Sequence, residues 1–206
     1  MTITINEHSS IKICADITLY ADPFKIKDDA HDADVVLFTH EHYDHFSPDD
    51  IEKVSHAGTI FVMPRSMENH TFGLTKFLSA GESCDVLGVG VLAVPAYNVG
   101  KKFHPKERGW LGYVLTVEGK RIYVAGDTDK TPDAENVSCD IALLPAGGTY
   151  TMTAKEAASL ANIIKPAVAI PTHYGSIVGK ATDFEEFKNA LSGVKIFDAM
   201  GKSVTL

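Results

Sequence analysis

The residues most suited to chemistry lie in one short segment of this 206-residue chain. The segment holds four potential metal ligands within six residues: His40, His42, Asp44 and His45. Imidazole and carboxylate groups are ligands of zinc, iron and manganese. The preceding residues Asp34–Phe38 form an apolar, β-branched run, which predicts a buried strand. Side chains just beyond a strand end can converge on one point, so the segment predicts a metal site rather than a polar surface loop.

Three later segments also place a coordinating group beyond an apolar strand. The candidate ligands in them are Asp127, His173 and, in the loop that follows the third strand, His104. Gly126 would let the backbone approach closely just before Asp127. Taken alone, Asp127 would be interpreted as a turn or cap residue. Beside the histidine cluster it is predicted to bind the metal.

The elements that must position these side chains are many strands in hairpins, followed by alternating strands and helices. Glu118–Lys120 is typical of a hairpin turn. Helices are predicted to begin at Ser47-Pro48 and at capping boxes in Thr153–Glu156 and Thr182–Glu185. This order predicts an α/β (α+β) fold with two mixed sheets packed face to face and helices outside.

Length and composition indicate a globular chain, and a single domain over residues 1–206 is expected. No apolar run approaches the roughly 20 residues of a membrane span. Residues 1–6 lack the basic start and apolar stretch of a signal peptide, so a cytoplasmic location is expected. The three cysteines are far apart and form no Cys-x-x-Cys pair, which predicts neither a disulfide framework nor a thiolate zinc site.

The charge balance argues against nucleic acid as a partner. The net charge is −8, and binding to phosphate backbones depends on Lys and Arg. The longest basic cluster consists of Lys101, Lys102, Lys106 and Arg108. It could hold an anionic group of a small-molecule substrate, or it could be a solvated loop. A homo-oligomer is compatible with the sequence.

The candidate ligands, taken in chain order, resemble those of the metallo-β-lactamase-fold hydrolases. The His-x-His-x-Asp-His signature matches His40–His45, the Gly-Asp segment matches Asp127, and the final histidine matches His173. Pro145–Thr153 and Pro171–Gly175 further resemble the branch with L-ascorbate-6-phosphate lactonase and N-acyl phosphatidylethanolamine phospholipase D. The resemblance implies a four-layer αββα sandwich with metals at one edge between the sheets.

The resemblance also implies roles for the ligands. His40 and His42, joined by His104, would hold one metal, and Asp44, His45 and His173 would hold a second. Asp127 would bridge the two ions. The expected cofactor is one or two zinc ions, with manganese or iron also compatible. A metal-bound hydroxide would attack the substrate, and Asp44, the predicted catalytic residue, would orient the hydroxide or pass its proton.

One position departs from the family pattern. The family places a third histidine where this chain has Asn98, and an amide is a weak ligand beside imidazole. His104 could replace the missing histidine, or the first metal position could be incomplete, leaving one tight metal. A third interpretation places His104 on a lid loop, in contact with substrate or solvent only.

The function expected from these residues is metal-dependent hydrolysis of an ester, lactone or phosphodiester of a small cytosolic substrate. A nuclease of the same fold and a non-catalytic metal- or ligand-binding protein are the alternatives. Phe103, Trp110 and Tyr113 are predicted at the mouth of the site, and Thr39, Thr128, Asp129 or Thr172 around the ligands. The histidines without a supporting pattern are predicted to be surface or structural residues: His8, His31, His56 and His70.

Overall fold

Fourteen strands and four α-helices form the regular structure of the computed structural model, which describes all 206 residues. In chain order the strands are β1 (Thr2–Glu7), β2 (Ser10–Cys14), β3 (Thr18–Ala21), β4 (Val35–Leu37), β5 (Ile60–Pro64), β6 (Leu74–Leu78), β7 (Ser83–Val86), β8 (Val89–Pro95), β9 (Leu111–Val117), β10 (Lys120–Val124), β11 (Ile141–Pro145), β12 (Val168–Thr172), β13 (Lys195–Ile196) and β14 (Ser203–Thr205). The helices are α1 (Pro48–Val54), α2 (Pro132–Glu135), α3 (Ala154–Ile164) and α4 (Asp183–Ala190). None of these helices is long and apolar enough to cross a membrane.

The strands form two sheets of seven strands each. The first sheet has the order β14-β1-β2-β3-β4-β5-β6, and the second has the order β13-β12-β11-β10-β9-β8-β7. Strands β3 to β6 run parallel, as do β10 to β13. The remaining pairs are antiparallel. Both sheets are therefore mixed, as the sequence predicts.

The largest hydrophobic core lies between the two sheets, where Ile13 and Leu37 of the first sheet belong to one cluster with Leu143 of the second. A second cluster covers the outer face of the second sheet and includes Leu160 of α3. A third covers the outer face of the first sheet and includes Ile51 of α1. Burial of this apolar surface stabilises the fold by about 25 cal/mol per Å². The layers are helix, sheet, sheet and helix, which confirms the predicted αββα sandwich.

Turns and helix starts are predicted correctly where the conformation depends on neighbouring residues. The Glu118-Gly119 turn joins β9 to β10 with positive φ at both residues, as a tight hairpin requires. Thr153 and Glu156 form the predicted capping box at the start of α3. The capping box predicted at Thr182 is wrong, because Thr182 is itself helical and its side chain caps nothing.

One edge of the sandwich collects strand ends from both sheets. In the first sheet β3 and β4 end there, and β2 runs antiparallel to β3, so the turn between β1 and β2 lies at the same edge. In the second sheet β10 and β12 run parallel to β11 and end together. Strand β8 is antiparallel to β9, as β10 is, so β8 ends there too. Loops distant in sequence therefore meet at this edge.

Asp50 in α1 offers a test of the fold that does not involve the edge. Its side chain is buried and accepts hydrogen bonds from the backbone N–H groups of Lys25 and Ile26, at 2.8 and 2.9 Å. Ser47 Oγ and Lys53 Nζ also donate to it, at 2.8 and 3.1 Å. Burial alone would raise the pKa of Asp50, but these hydrogen bonds together lower it below its usual 3.8.

We expect Asp50→Asn to lower the free energy of unfolding at pH 7 by about 1–3 kcal/mol, because buried donors lose a charged acceptor. Since folding lowers the pKa, this stabilisation is complete above the usual pKa of 3.8 and is lost as the pH falls from there through the lower pKa of the folded state. Urea unfolding of metal-free protein at pH 7 and at a series of pH values below 3.8 measures the difference. Asp49→Asn, in the same helical turn but exposed, is the control. Equal effects of the two substitutions would contradict the prediction.

Candidate metal centre

The histidine segment lies in the loop between β4 and α1, and a buried carboxylate holds its start. Asp22, directly after β3, accepts hydrogen bonds from the backbone N–H of Thr39 at 2.8 Å and from Thr39 Oγ1 at 2.6 Å. The same carboxylate lies 2.7 Å from His45 Nδ1. Thr39 Oγ1 is also 2.9 Å from His40 Nδ1. Two imidazoles are thus held by their Nδ1 atoms, so their Nε2 atoms face the site. His45 Nε2 makes no hydrogen bond there, while His40 Nε2 lies 3.0 Å from His42 Nδ1.

The structure brings all seven predicted ligands together at the sheet edge. His40, His42 and His104, here called the first group, have ligand atoms within 4.8 Å of one another. Asp44, His45 and His173, here called the second group, satisfy the same limit, and His8 satisfies it with them. His40, His45 and Asp127 satisfy it as well. The three sets share members, so the seven side chains surround one continuous space.

Asp127 lies between the two groups. Its Oδ2 is 3.3 Å from His104 Nε2 and 3.1 Å from His173 Nε2, while its Oδ1 is 3.3 Å from His45 Nε2. The side chain is 4% exposed. Gly126 before it has φ +65°, and a Cβ there would lie 3.0 Å from Thr39 Cβ, which confirms the predicted close approach. The loop after β10 thus aims one carboxylate at both histidine groups.

Four buried polar atoms that face this space lack hydrogen-bond partners, which is the observation that fits a cation. His45 Nε2, His104 Nε2 and His173 Nε2 are buried and make no hydrogen bond, and Asp127 Oδ1 makes none either. Leaving such atoms both dehydrated and unpaired costs free energy. A divalent cation would satisfy nitrogen and carboxylate donors at once, and this donor set suits zinc, manganese or iron.

The charge states of the ligands also suit a cation. Burial lowers the pKa of His40 well below 6.5 and also lowers that of His42, so both imidazoles are neutral. Burial would raise the pKa of Asp127, but His173 and His45 hold it well below the usual range. Neutral imidazole and ionised carboxylate are the forms that bind metals.

His45 differs, because its two neighbours are carboxylates. Burial would lower the pKa of His45, but Asp127 and Asp22 together raise it well above 6.5. Asp22 binds Nδ1 and Asp127 faces Nε2. A cation at Nε2 would therefore replace a proton that the same two carboxylates attract.

Asn98 binds His104. Its Oδ1 accepts a hydrogen bond from the backbone N–H of His104 at 3.1 Å and lies 3.1 Å from His104 Nδ1, while its Nδ2 donates to Tyr150 O at 2.8 Å. Both side chains are buried. This orientation leaves Nε2 of His104 facing Asp127 and favours His104 over Asn98 as the candidate ligand. The burial of His104 also disfavours a lid-loop position.

His8 and Asp22 are site residues that sequence reasoning missed. His8, expected at the surface or in a structural role, is 0% exposed, and its Nε2 lies 3.2 Å from Asp44 Oδ2. Both residues stand where short strands end, which is the signal that identified the other ligands. Of the other unassigned histidines, His31 and His56 are exposed, and His70 lies 3.8 Å from Glu41.

A cleft of about 280 Å³ opens over the candidate ligands. Its walls are formed by Tyr43, Phe103, Tyr150, Ile177 and Val178, and its floor by His42, Asp44, His104, Asp127 and His173. Phe103 and Tyr150 meet edge to face at 4.6 Å. Phe103 is therefore at the mouth, as predicted.

Trp110 and Tyr113 do not lie at the mouth. Trp110 is buried and packs behind the first group, with ring centroids 5.0 Å from His40 and 4.7 Å from His42. Tyr113 is fully buried and donates to Phe38 O at 2.7 Å. Strand β9 is buried on both faces over its first five residues, which keeps Tyr113 away from solvent.

The basic cluster does not reach the cleft. Lys101 pairs with Asp129 at 2.5 Å, Lys106 with Asp133 at 3.0 Å, and Arg108 with Glu41 at 3.6 Å. The cleft lining contains no lysine or arginine. Three of the four cations pair with nearby carboxylates and Lys102 is exposed, so a surface loop describes this segment better than an anion site.

The chain is similar to known metal-dependent hydrolases in both sequence and fold. A sequence model of the β-lactamase superfamily domain matches residues 2–173. A UPF0173 metal-dependent hydrolase from Thermococcus onnurineus is 32% identical over 197 residues, covering 88% of each chain. A crystal structure from Parabacteroides distasonis, assigned to the metal-dependent hydrolases, is 31% identical with a TM-score of 0.83, covering 96% of this chain and 92% of that one. Igni18, a metallo hydrolase from Ignicoccus hospitalis, has a TM-score of 0.79 at 21% identity, covering 100% and 98%, and shows likeness of fold alone.

Proposed function

Because this chain belongs to the UPF0173 family of metal-dependent hydrolases in the β-lactamase superfamily, we propose that its cleft hydrolyses a small ester or lactone whose non-reacting part is apolar and uncharged. One observation carries the proposal: unpartnered metal-binding groups form the floor of a cleft with apolar walls. Resemblance to L-ascorbate-6-phosphate lactonase supports cleavage at a lactone or ester bond, whereas resemblance to the phospholipase D of the same branch would favour a phosphodiester. Ligands drawn from loops across both sheets support one hydrolase domain over residues 1–206.

The proposed ligand roles follow the two groups. His40, His42 and His104 would hold one cation, Asp44, His45 and His173 would hold the second, and Asp127 would contact both. Zinc is the first candidate, with manganese or iron as alternatives. Bound cations would acidify a water molecule and polarise the carbonyl under attack.

Asp44 has a further role in the proposal. Its side chain is 13% exposed and lines the cleft, so it can reach a water molecule there. Burial would raise the pKa of Asp44, but the hydrogen bond from His8 lowers it, which keeps the carboxylate ionised. An ionised carboxylate accepts a hydrogen bond from water, orients it and takes its proton.

The walls define the substrate class. Tyr43 is 68% exposed, Phe103 45% and Ile177 37%, so large apolar side chains surround an open mouth. Apolar patches around a cleft are typical of ligand sites, because a bound apolar group removes them from water. A phosphodiester or a carboxylate on the substrate would find no lysine or arginine among the lining residues. The lining therefore favours a neutral acyl or aryl group.

The test compares two esters in which a carboxylate replaces a terminal methyl group, with the uncatalysed rate of each subtracted. We expect p-nitrophenyl butyrate to exceed mono-p-nitrophenyl succinate in kcat/KM by at least about tenfold, since desolvating an unpaired carboxylate costs more than 1.4 kcal/mol. A neutral lactone and bis-p-nitrophenyl phosphate extend the comparison. Faster turnover of the phosphodiester or of the succinate would contradict the apolar assignment. If none of these compounds is hydrolysed, the proposed ester or lactone activity is contradicted.

Metal removal gives a separate prediction. Dialysis against a chelator should lower kcat/KM for the best ester by at least about 100-fold, because no serine nucleophile replaces the lost cations. Elemental analysis before dialysis identifies the resident metal. Zinc, manganese and ferrous iron are then restored one at a time, and at least one should recover the activity. Full activity of a protein shown to be metal-free would rule out metal-dependent hydrolysis.

A further inference from the structure

His8 lies in the turn between β1 and β2 and is tied to the loop after β12. Its side chain is completely buried, and its φ of +56° is uncommon for a residue other than glycine. Its carbonyl oxygen accepts a hydrogen bond of 2.9 Å from the backbone N–H of His173. His173 also has a positive φ, of +57°. Two strained turns from the two sheets are thus joined at this point, which is typical of functional sites.

The contact with Asp44 defines the tautomer of His8. His8 Nε2 is 3.2 Å from Asp44 Oδ2, and a carboxylate can only accept hydrogen bonds. This contact therefore needs a hydrogen on Nε2 of His8, while Nδ1 is buried and has no partner. A nitrogen that carries a hydrogen cannot bind a cation. His8 therefore contacts the predicted ligand Asp44, but Nε2 of His8 is not itself available to bind the cation.

The second contact of His8 is with His173. The two ring centroids are 3.7 Å apart and the rings are tilted by 41°. His8 therefore touches Asp44 through a hydrogen bond and His173 through its ring, and it also lies edge-on to His45, with ring centroids 6.1 Å apart. Among the first group, by contrast, no ring contact or hydrogen bond with His8 occurs. Any effect of His8 should be selective for one of the two cations.

We propose that His8 is a positioning residue that donates its Nε2 hydrogen to Asp44 and packs against His173, which fixes both for the second cation. This inference rests on the proposed metal centre. A carboxylate rotates about its terminal bond, so holding Oδ2 determines where Oδ1 points. Asp44 Oδ2 is also 3.8 Å from His45 Nε2 and 3.8 Å from His173 Nε2. Without His8 this carboxylate would be free to turn away from its neighbours.

The test is a matched pair of substitutions, His8→Gln and His8→Leu. Both side chains are unbranched at Cβ and experience the same backbone strain, but only the glutamine amide places a donor near the original Nε2. His56→Ala, which removes an exposed imidazole, is the control. Dissociation constants of the bound ions are measured by titration with Co²⁺, followed by its visible absorption, and with Zn²⁺ in competition. Unfolding of the metal-free variants checks that each is folded.

We expect His8→Leu to raise the dissociation constant of one bound ion by about 10–100-fold, and His8→Gln to restore it to within about threefold of the original protein. Unchanged binding in a folded His8→Leu protein would overturn the inference. An equal loss in both variants would overturn it as well, because the donor alone would then not suffice. Failure of the original protein to bind either metal would instead contradict the proposed function.

Discussion

Asp127→Ala is expected to remove bound metal and to lower kcat/KM for the best ester by at least about 1,000-fold. Asp127 Oδ2 faces His104 and His173, and Oδ1 faces His45, all within 3.3 Å. Losing the carboxylate removes a negative charge and a shared donor from both groups at once. The measurements are elemental analysis after dialysis and steady-state kinetics of the same preparation.

The fold should survive this substitution. The Asp127 side chain makes no hydrogen bond to the backbone and belongs to none of the three hydrophobic clusters. Unfolding of the metal-free variant should therefore remain cooperative. Asp29→Ala, which removes an exposed carboxylate far from the cleft, controls for the change of net charge. Metal occupancy as high in Asp127→Ala as in Asp29→Ala would contradict the ligand set.

His104→Ala is expected to weaken the binding of one metal ion by at least about 100-fold, as much as His42→Ala does. The reason is that His104 Nε2 is buried, unpartnered and directed at the space shared with His42 and Asp127. Kinetics alone cannot separate this role from substrate contact, so metal content is measured in parallel. His56→Ala serves again as an exposed control.

Two results would change the assignment of His104. A higher KM with full metal occupancy would place it in the substrate pocket rather than among the ligands. A larger loss of metal in Asn98→Ala than in His104→Ala would transfer the ligand role to the amide. We expect Asn98→Ala to have the smaller effect, about tenfold, because Asn98 only orients the imidazole.

Much of the centre could be predicted from the sequence, because its ligands stand at strand ends. Strand periodicity and turn chemistry are local properties, so the sequence alone predicts the strand at Asp34–Phe38 and the hairpin at Glu118–Lys120. The ligands of the loop before α1 are compressed within six residues, and no fold is needed to see that they can meet. Asp127 and His173 follow from the same strand-end pattern. The order of strands and helices further predicts two sheets with helices outside.

The tertiary structure decided the contacts between distant segments. His8 and Asp44 are 36 residues apart, and they meet only because β2 runs antiparallel to β3 and returns the first turn to the ligand edge. Lys101 and Asp129 are 28 residues apart, and their ion pair holds the Lys101 ammonium group away from the cleft. The hydrogen bond between Asn98 and His104 separates their roles, because the Asn98 amide orients the imidazole and the imidazole is the candidate ligand. Residue patterns encode the conformation of neighbours, whereas strand register and sheet packing determine which distant polar atoms become buried together.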